Sequence, residues 1–197
     1  EYSDYFLKSD TFDIKKNIEK CDELSKLFEI KAVLTSAADC HETVNCLAQK
    51  LNLTHLDPNI SKICRNKHLF RKFFKNKSIN QPKFEIFQNF DESLDYLIKN
   101  SINEFVVKST DNSGSRGFHH IKNIKDYNNE IFNDSILNGS TGKVLIEELI
   151  VPINNGISEI SVETVWFEGK MYFINMVDRL FRNDLQYLTD KNLHNFD

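Results

Sequence analysis

The residues with the clearest chemical potential form one run, Glu104–Gly117, EFVVKSTDNSGSRG. Phe105, Val106 and Val107 make a short apolar, β-branched stretch that suits a buried strand, and it delivers Lys108 at its end. A polar loop follows, with Ser113, Gly114, Ser115 and Gly117. Glycines there allow positive φ and turn successive N–H groups toward one point. Serine hydroxyls add donors, and the lysine adds a point charge of the right sign for a polyphosphate. The loop is not a Walker A sequence, because no Gly-Lys-Ser/Thr leads from it into a helix. An ordinary strand–loop connection is the competing reading.

A second set of candidates is acidic. Lys143-Val144-Leu145-Ile146 reads as a buried strand that ends in Glu147-Glu148, followed by the apolar, extended Leu149-Ile150-Val151-Pro152. Beyond the polar loop Asn154-Asn155-Gly156, Ile157–Trp166 alternates cleanly. Its period of two sets Glu163 on the same face as Glu159. A solvated strand residue is the alternative for each glutamate, least so for Glu147, which closes an apolar strand.

The elements that must position these groups follow in chain order. Residues 11 to 29 read as an amphipathic helix, with Ile14, Ile18, Cys21, Leu24 and Phe28 on one face. Lys31–Thr35 reads as a strand, and the polar segment Ser36–Asp39 leads to a helix carrying Val44, Leu47, Ala48 and Leu51. That helix–strand–helix rhythm predicts a doubly wound α/β unit, with Leu53–Pro58 as the next extended segment. Asn59 or Ser61 caps a further helix, and Lys62–Lys77 is strongly basic, with Leu69, Phe70, Phe73 and Phe74 turned inward. Pro82 precedes a strand at Phe84–Phe87 and a helix near Asp91–Lys99. After the central strand and loop comes a helix around Lys125–Leu137, closed by Asn138-Gly139. Glu168-Gly169 turns the alternating strand into a partner, Met171–Val177, as a β-hairpin. From Arg179 onward no pattern is legible.

At 197 residues the chain can hold one large domain or two small ones, and 40% hydrophobic residues suffice for a core. A net charge of -4 and a pI near 5.9 argue against nucleic acid as the main partner. The basic stretch then reads as a solvated helix face, or as a helix that lends one residue to a bound phosphate. No apolar run reaches membrane-spanning length and no secretory pattern opens the chain. It begins at Glu1, so a trimmed start is expected. Cys21, Cys40, Cys46 and Cys64 form no C-x-x-C pair, and buried thiols in a reducing cytoplasm are the expectation. Asp39-Cys40-His41 with Cys46 matches no familiar zinc spacing.

Strand-Lys-loop-Gly, then helix, then strand-Glu-Glu, then an acidic strand is more specific than any one piece. The constellation resembles the ATP-grasp superfamily. The resemblance is carried by Lys67 in Arg65-Asn66-Lys67, Pro82, Val107-Lys108 with Ser113-Gly114-Ser115-Arg116-Gly117, Leu145-Ile146-Glu147-Glu148-Leu149-Ile150, and Ser158–Glu163. It covers nearly the whole chain. Within the superfamily the loop and the Ser-Val-Glu strand are most similar to carbamoyl-phosphate synthase-like and glycinamide-ribonucleotide-synthetase-like members, with biotin carboxylase-like enzymes as siblings.

The resemblance implies an α/β architecture in three parts: a pre-ATP-grasp Rossmann-like domain and linking helix over 1–80, a lid subdomain over 81–150, and the start of an antiparallel core over 151–197. It implies that Lys67 and Lys108 neutralise the α- and β-phosphates of ATP, and that Ser113–Gly117 covers them as a lid. Glu147 would accept from the adenine amino group, backbone groups of Glu148, Leu149 and Ile150 would line the purine edge, and Glu159 would accept from the ribose hydroxyls. Asp178 and Arg179 resemble the place of a charged residue facing substrate or phosphate. The implied reaction is ADP-forming ligation of a small carboxylate to an amine or thiol through an acyl phosphate, with Mg²⁺ bridging the phosphates. The later acidic strand and the Glu-x-Asn strand that hold magnesium are not found, since Asp184, Asp190 and Asp197 lie in the patternless tail. The chain is therefore expected to stop before the metal-binding half. A non-catalytic ATP-binding module, or one part of a split enzyme, is the competing function. No nucleic-acid or membrane partner is expected, and a homo-oligomer is compatible with the sequence.

Overall fold

The computed structural model describes residues 3, 5–35, 39–151 and 159–179. The chain divides into two units, Glu1–Ile79 and Asn80–Asp197. Among the described residues no helix is long and apolar enough to cross a membrane.

The first unit is helical among its described residues: α1 (Ile14–Leu24), α2 (His41–Lys50), α3 (Pro58–Arg65) and α4 (Lys67–Lys75). Each start but that of α2 has a side-chain cap. Asp13 accepts from the Lys16 N–H, Asp57 from that of Asn59 with Pro58 as the first helical residue, and Asn66 from that of Leu69. Asn45 ties the helices together. Its Nδ2 donates to the His41 carbonyl and to Ser61 Oγ, both at 2.8 Å, and its Oδ1 accepts from the Leu56 N–H at 2.7 Å.

Two sequence expectations change here. Lys31–Thr35 is not a strand, since a strand exists only through ladder bonds to a neighbour and the described residues of this unit supply none. The basic helix over 62–77 is two helices, broken at Asn66, whose extended backbone (φ -93°, ψ 108°) frees its side chain to cap α4. Cys21 and Cys40 are buried as expected, whereas Cys46 is half-buried and Cys64 is exposed; all four thiols are free.

The second unit holds a four-stranded sheet in the order β1 (Phe84–Phe87), β4 (Val144–Glu147), β2 (Phe105–Ser109), β3 (Phe118–Ile121), antiparallel throughout. Helices α5 (Phe90–Lys99) and α6 (Asn129–Leu137) pack on one face of it. Asn89 and Asn128 cap them. The core between the layers contains Leu97, Phe105, Val107, Ile121, Phe132, Val144 and Ile146. The alternation that sends Val107 and Ile146 into this core sends Lys108 and Glu147 to the opposite face. Strand β3 was not expected, because Phe118-His119-His120-Ile121 carries no run of apolar or β-branched residues. It is held by its antiparallel register with β2, from Phe105 opposite Ile121 to Lys108 opposite Phe118.

The expected hairpin forms, with β5 (Glu159–Phe167) and β6 (Lys170–Arg179) as a two-stranded sheet. Glu168 and Gly169 both have positive φ, 49° and 75°, as a two-residue primed turn requires. Between the Glu163–Asn175 and Thr164–Phe173 pairs, β6 carries one extra residue, Ile174.

Candidate functional site

Glu147 pairs in register with Val106, and Lys108 with Leu145, so Lys108 and Glu147 are diagonal neighbours on one face of the sheet. Their side chains form an ion pair, Lys108 Nζ donating to Glu147 Oε1, and are only 15% and 6% exposed. A lysine and a glutamate seldom occupy such a position unless paired. The strand ends thus hold a cation and an acceptor side by side, one suited to a phosphate and the other to an amino group.

The loop from Ser109 to Phe118 joins β2 to β3, so it rises from the strand that carries Lys108. Gly114, Ser115 and Gly117 all adopt positive φ, at 61°, 55° and 65°. The Ser109 N–H donates to the Gly117 carbonyl and the Phe118 N–H to that of Ser115, each at 3.1 Å, while Ser109 Oγ donates to the Arg116 carbonyl at 3.1 Å. Within the loop, Asn112 Oδ1 accepts from the Ser113 N–H at 2.9 Å and from Arg116 Nε at 3.0 Å, and Arg116 Nη2 donates to Ser113 Oγ at 3.2 Å. The N–H groups of Gly114 and Ser115 have no acceptor among the described residues. They are amides available to an anion.

Helix α6 fastens both ends of this loop. Ser135 Oγ donates to the Gly117 carbonyl at 2.9 Å, and Asn112 Nδ2 donates to the Asn138 carbonyl at 2.5 Å. A Cβ on Gly117 would lie 2.8 Å from that of Asn138, so the close approach of loop to helix needs glycine. Asp134 joins in through His119 Nε2 at 2.7 Å and Asn138 Nδ2 at 3.0 Å. Asp111 closes the other side by accepting from the Ser140 N–H at 2.9 Å and from Ser140 Oγ.

Of the residues singled out in the sequence, the structure brings Lys108 and Glu147 together and builds the loop Ser113, Gly114, Ser115 and Gly117 beside them in sequence. Glu148 follows β4, and both its N–H and its carboxylate are engaged with Lys83: it donates to the Lys83 carbonyl at 2.8 Å and accepts from the Lys83 N–H at 3.1 Å. Its carbonyl and the second carboxylate oxygen, Oε1, are not part of that pairing. Leu149 is half-buried and Ile150 exposed. Lys67 is the first residue of α4, in the first unit. Glu159 opens β5 and stands in register with Arg179. Ser161 Oγ donates to Glu163 Oε1 at 2.8 Å, as expected of residues sharing a face. The side chain of Arg179, the segment 152–158 and the acidic tail positions Asp184, Asp190 and Asp197 lie outside the described residues. Sequence reasoning missed the anchors Asn112, Asp134, Ser135 and Asn138. Asn112, beside glycines, has a turn signature; the α6 residues have none, because their role is tertiary.

The residues present suit a nucleoside polyphosphate, with a buried acceptor, a buried cation and unengaged loop amides within one sheet and its loop. Among the described residues no three His, Cys, Asp or Glu side chains are placed to hold one metal ion.

No protein-family model matches the sequence. No curated protein matches it either. Solved structures do. A D-alanine–D-alanine ligase from Helicobacter pylori superposes with a TM-score of 0.58 over 74% of this chain and 45% of its own, at 17% identity. An L-amino acid ligase from Bacillus licheniformis gives 0.63 over 83% and 36%, at 18% identity. The N5-carboxyaminoimidazole synthetase from Staphylococcus aureus, complexed with ADP, gives 0.64 over 92% and 45%, at 16% identity. The chain thus spans less than half the length of these structures.

Proposed function

We propose that this chain, whose fold is that of the ATP-grasp enzymes, is the ATP-binding portion of an ATP-dependent ligase that joins a small carboxylate to an amine or thiol. The observation that carries the reading is the buried Lys108–Glu147 pair at the foot of a glycine–serine loop. The likeness to two amino acid ligases and to an ADP-bound synthetase supports it.

In this reading Glu147 accepts from the adenine amino group, beside the Glu148 carbonyl and the Ile150 N–H. Lys108 exchanges part of its interaction with Glu147 for a phosphate oxygen. The amides of Gly114 and Ser115 meet phosphate oxygens at the loop. Glu159 takes the ribose hydroxyls. These groups hold and neutralise a polyphosphate, which is most of what a phosphoryl transfer asks of a protein. Attack by a carboxylate on the γ-phosphate then yields an acyl phosphate and ADP, and the amine or thiol displaces phosphate. The metal ligands, the acceptor pocket and any second subunit belong to the protein beyond the residues described.

Calorimetric titration of ATP into the purified chain tests the reading. Binding that weakens at least about tenfold in both Lys108→Ala and Glu147→Ala, as expected for loss of a charge-assisted contact, supports it. A folded chain that takes up no adenine nucleotide refutes it.

A further inference from the structure

Arg116 is the one loop residue whose chemistry the nucleotide reading leaves unused. It is exposed, and its guanidinium is held within the loop by two neutral acceptors, Asn112 Oδ1 at 3.0 Å and Ser113 Oγ at 3.2 Å. Among the described residues it makes no ion pair. The acidic residue nearest in the loop sequence, Asp111, is committed to Ser140. A guanidinium carries five donors in a planar fork that matches a phosphate, yet here it serves an amide oxygen and a hydroxyl.

We infer that Arg116 binds the terminal phosphate of the nucleotide, moving from Asn112 and Ser113 onto the γ-phosphate when ATP enters. The inference rests on the proposed nucleotide site and adds to it a residue that distinguishes triphosphate from diphosphate. Lys108 directly precedes the loop, whereas the guanidinium is bonded to Asn112 and Ser113 further along it, so in this reading the lysine serves the inner phosphates and the arginine the terminal one. Exchanging neutral acceptors for phosphate oxygens gives charge-assisted bonds roughly twice as strong. The exchange leaves the loop intact, since Asn112 keeps its bond to the Asn138 carbonyl and Gly117 keeps its bond to Ser135. Asn112 is thus a parking site for the arginine.

Binding of AMP, ADP and ATP, each with Mg²⁺ in solution, to the wild-type chain, Arg116→Ala and Arg116→Lys tests this. The expected result is an ATP affinity about tenfold lower in Arg116→Ala, with AMP and ADP unchanged and partial recovery in Arg116→Lys. Equal weakening of all three nucleotides would assign Arg116 a purely structural role, and unchanged ATP binding would remove it from the site; either overturns the inference while leaving nucleotide binding intact. A wild-type chain that binds none of the three overturns the nucleotide reading and this inference with it.

Discussion

Lys108 and Glu147 neutralise each other on the face of the sheet turned away from its helices, and neither side chain is more than 15% exposed. Removing one partner takes from the other the charge it is paired with in a largely buried position, and breaking a buried pair typically costs about 3–5 kcal/mol. Lys108→Met and Glu147→Gln should each destabilise the second unit by about 2–4 kcal/mol, below the fully buried limit. The double substitution should cost clearly less than the sum. Denaturant unfolding of the four proteins measures this, and strictly additive losses would show that the pair is not coupled.

Gly117 and Gly114 offer a controlled contrast, since both have positive φ but only Gly117 is crowded. Gly114→Ala should cost about 1 kcal/mol, the strain of a side chain in the left-handed region. Gly117→Ala adds overlap with Asn138 and with the α6 backbone, so about 2–4 kcal/mol is expected. Thermal melts of the two variants decide it, and equal shifts would mean that the loop does not rest on α6.

Tyr127 gives the second unit a pH signature. It is buried, and burial pushes its hydroxyl up to about 12, against the smaller opposing effect of its hydrogen bond with Ser93. The Ser93 and Tyr127 hydroxyls lie 2.8 Å apart, and Ser93 Oγ is also 2.6 Å from the Phe90 carbonyl. Because the folded value lies above the unfolded one near 10, the unfolded chain loses its proton first as pH rises. Stability should be intact below about pH 10 and fall between about pH 10 and 12. Tyr127→Phe should lose about 1 kcal/mol near neutrality but flatten that alkaline decline. A decline of the same slope in the variant would place its cause elsewhere.

Asn45 is the polar knot of the first unit. Asn45→Ala strands the Leu56 N–H and Ser61 Oγ, and a loss of about 1–3 kcal/mol is expected. Circular dichroism of the isolated helical signal against urea would register it. A neutral substitution would mean that water replaces the side chain.

The four thiols should react in order of access. Cys64 is exposed, whereas burial raises the Cys21 and Cys46 thiols, with Asp22 and Glu42 adding to the effect. One fast equivalent of alkylation, mapped by mass spectrometry to Cys64, is expected under native conditions. Modification of Cys21 at a comparable rate would contradict its burial.

Much of this was legible because burial writes itself into sequence. Val144–Ile146 and Phe105–Val107 are apolar runs, and each ends in the charged residue that matters. The hairpin announced itself through alternation and Glu168-Gly169. What was hidden depends on a partner distant in the chain. His119 and His120 become strand residues only because β2 offers a ladder. Asp134, Ser135 and Asn138 look like ordinary helix-end residues until the loop is laid against them. Asn66 reads equally as a helix-interior residue or a cap, and its backbone decides.

The attachment of the loop to α6 at Asn112 and Gly117 has a consequence for time as well as affinity. With both ends tied to one helix, the segment between the two ties is only Ser113–Arg116. A segment so short reorients on the nanosecond-to-microsecond scale of loops, rather than the microsecond-to-millisecond scale of domain hinges. On the proposed nucleotide reading, exchange is then paced by release of phosphate contacts and not by a slow lid. Backbone relaxation measurements should find fast motion confined to Ser113–Arg116; slow exchange broadening that extends through α6 would show that the helix travels with the loop.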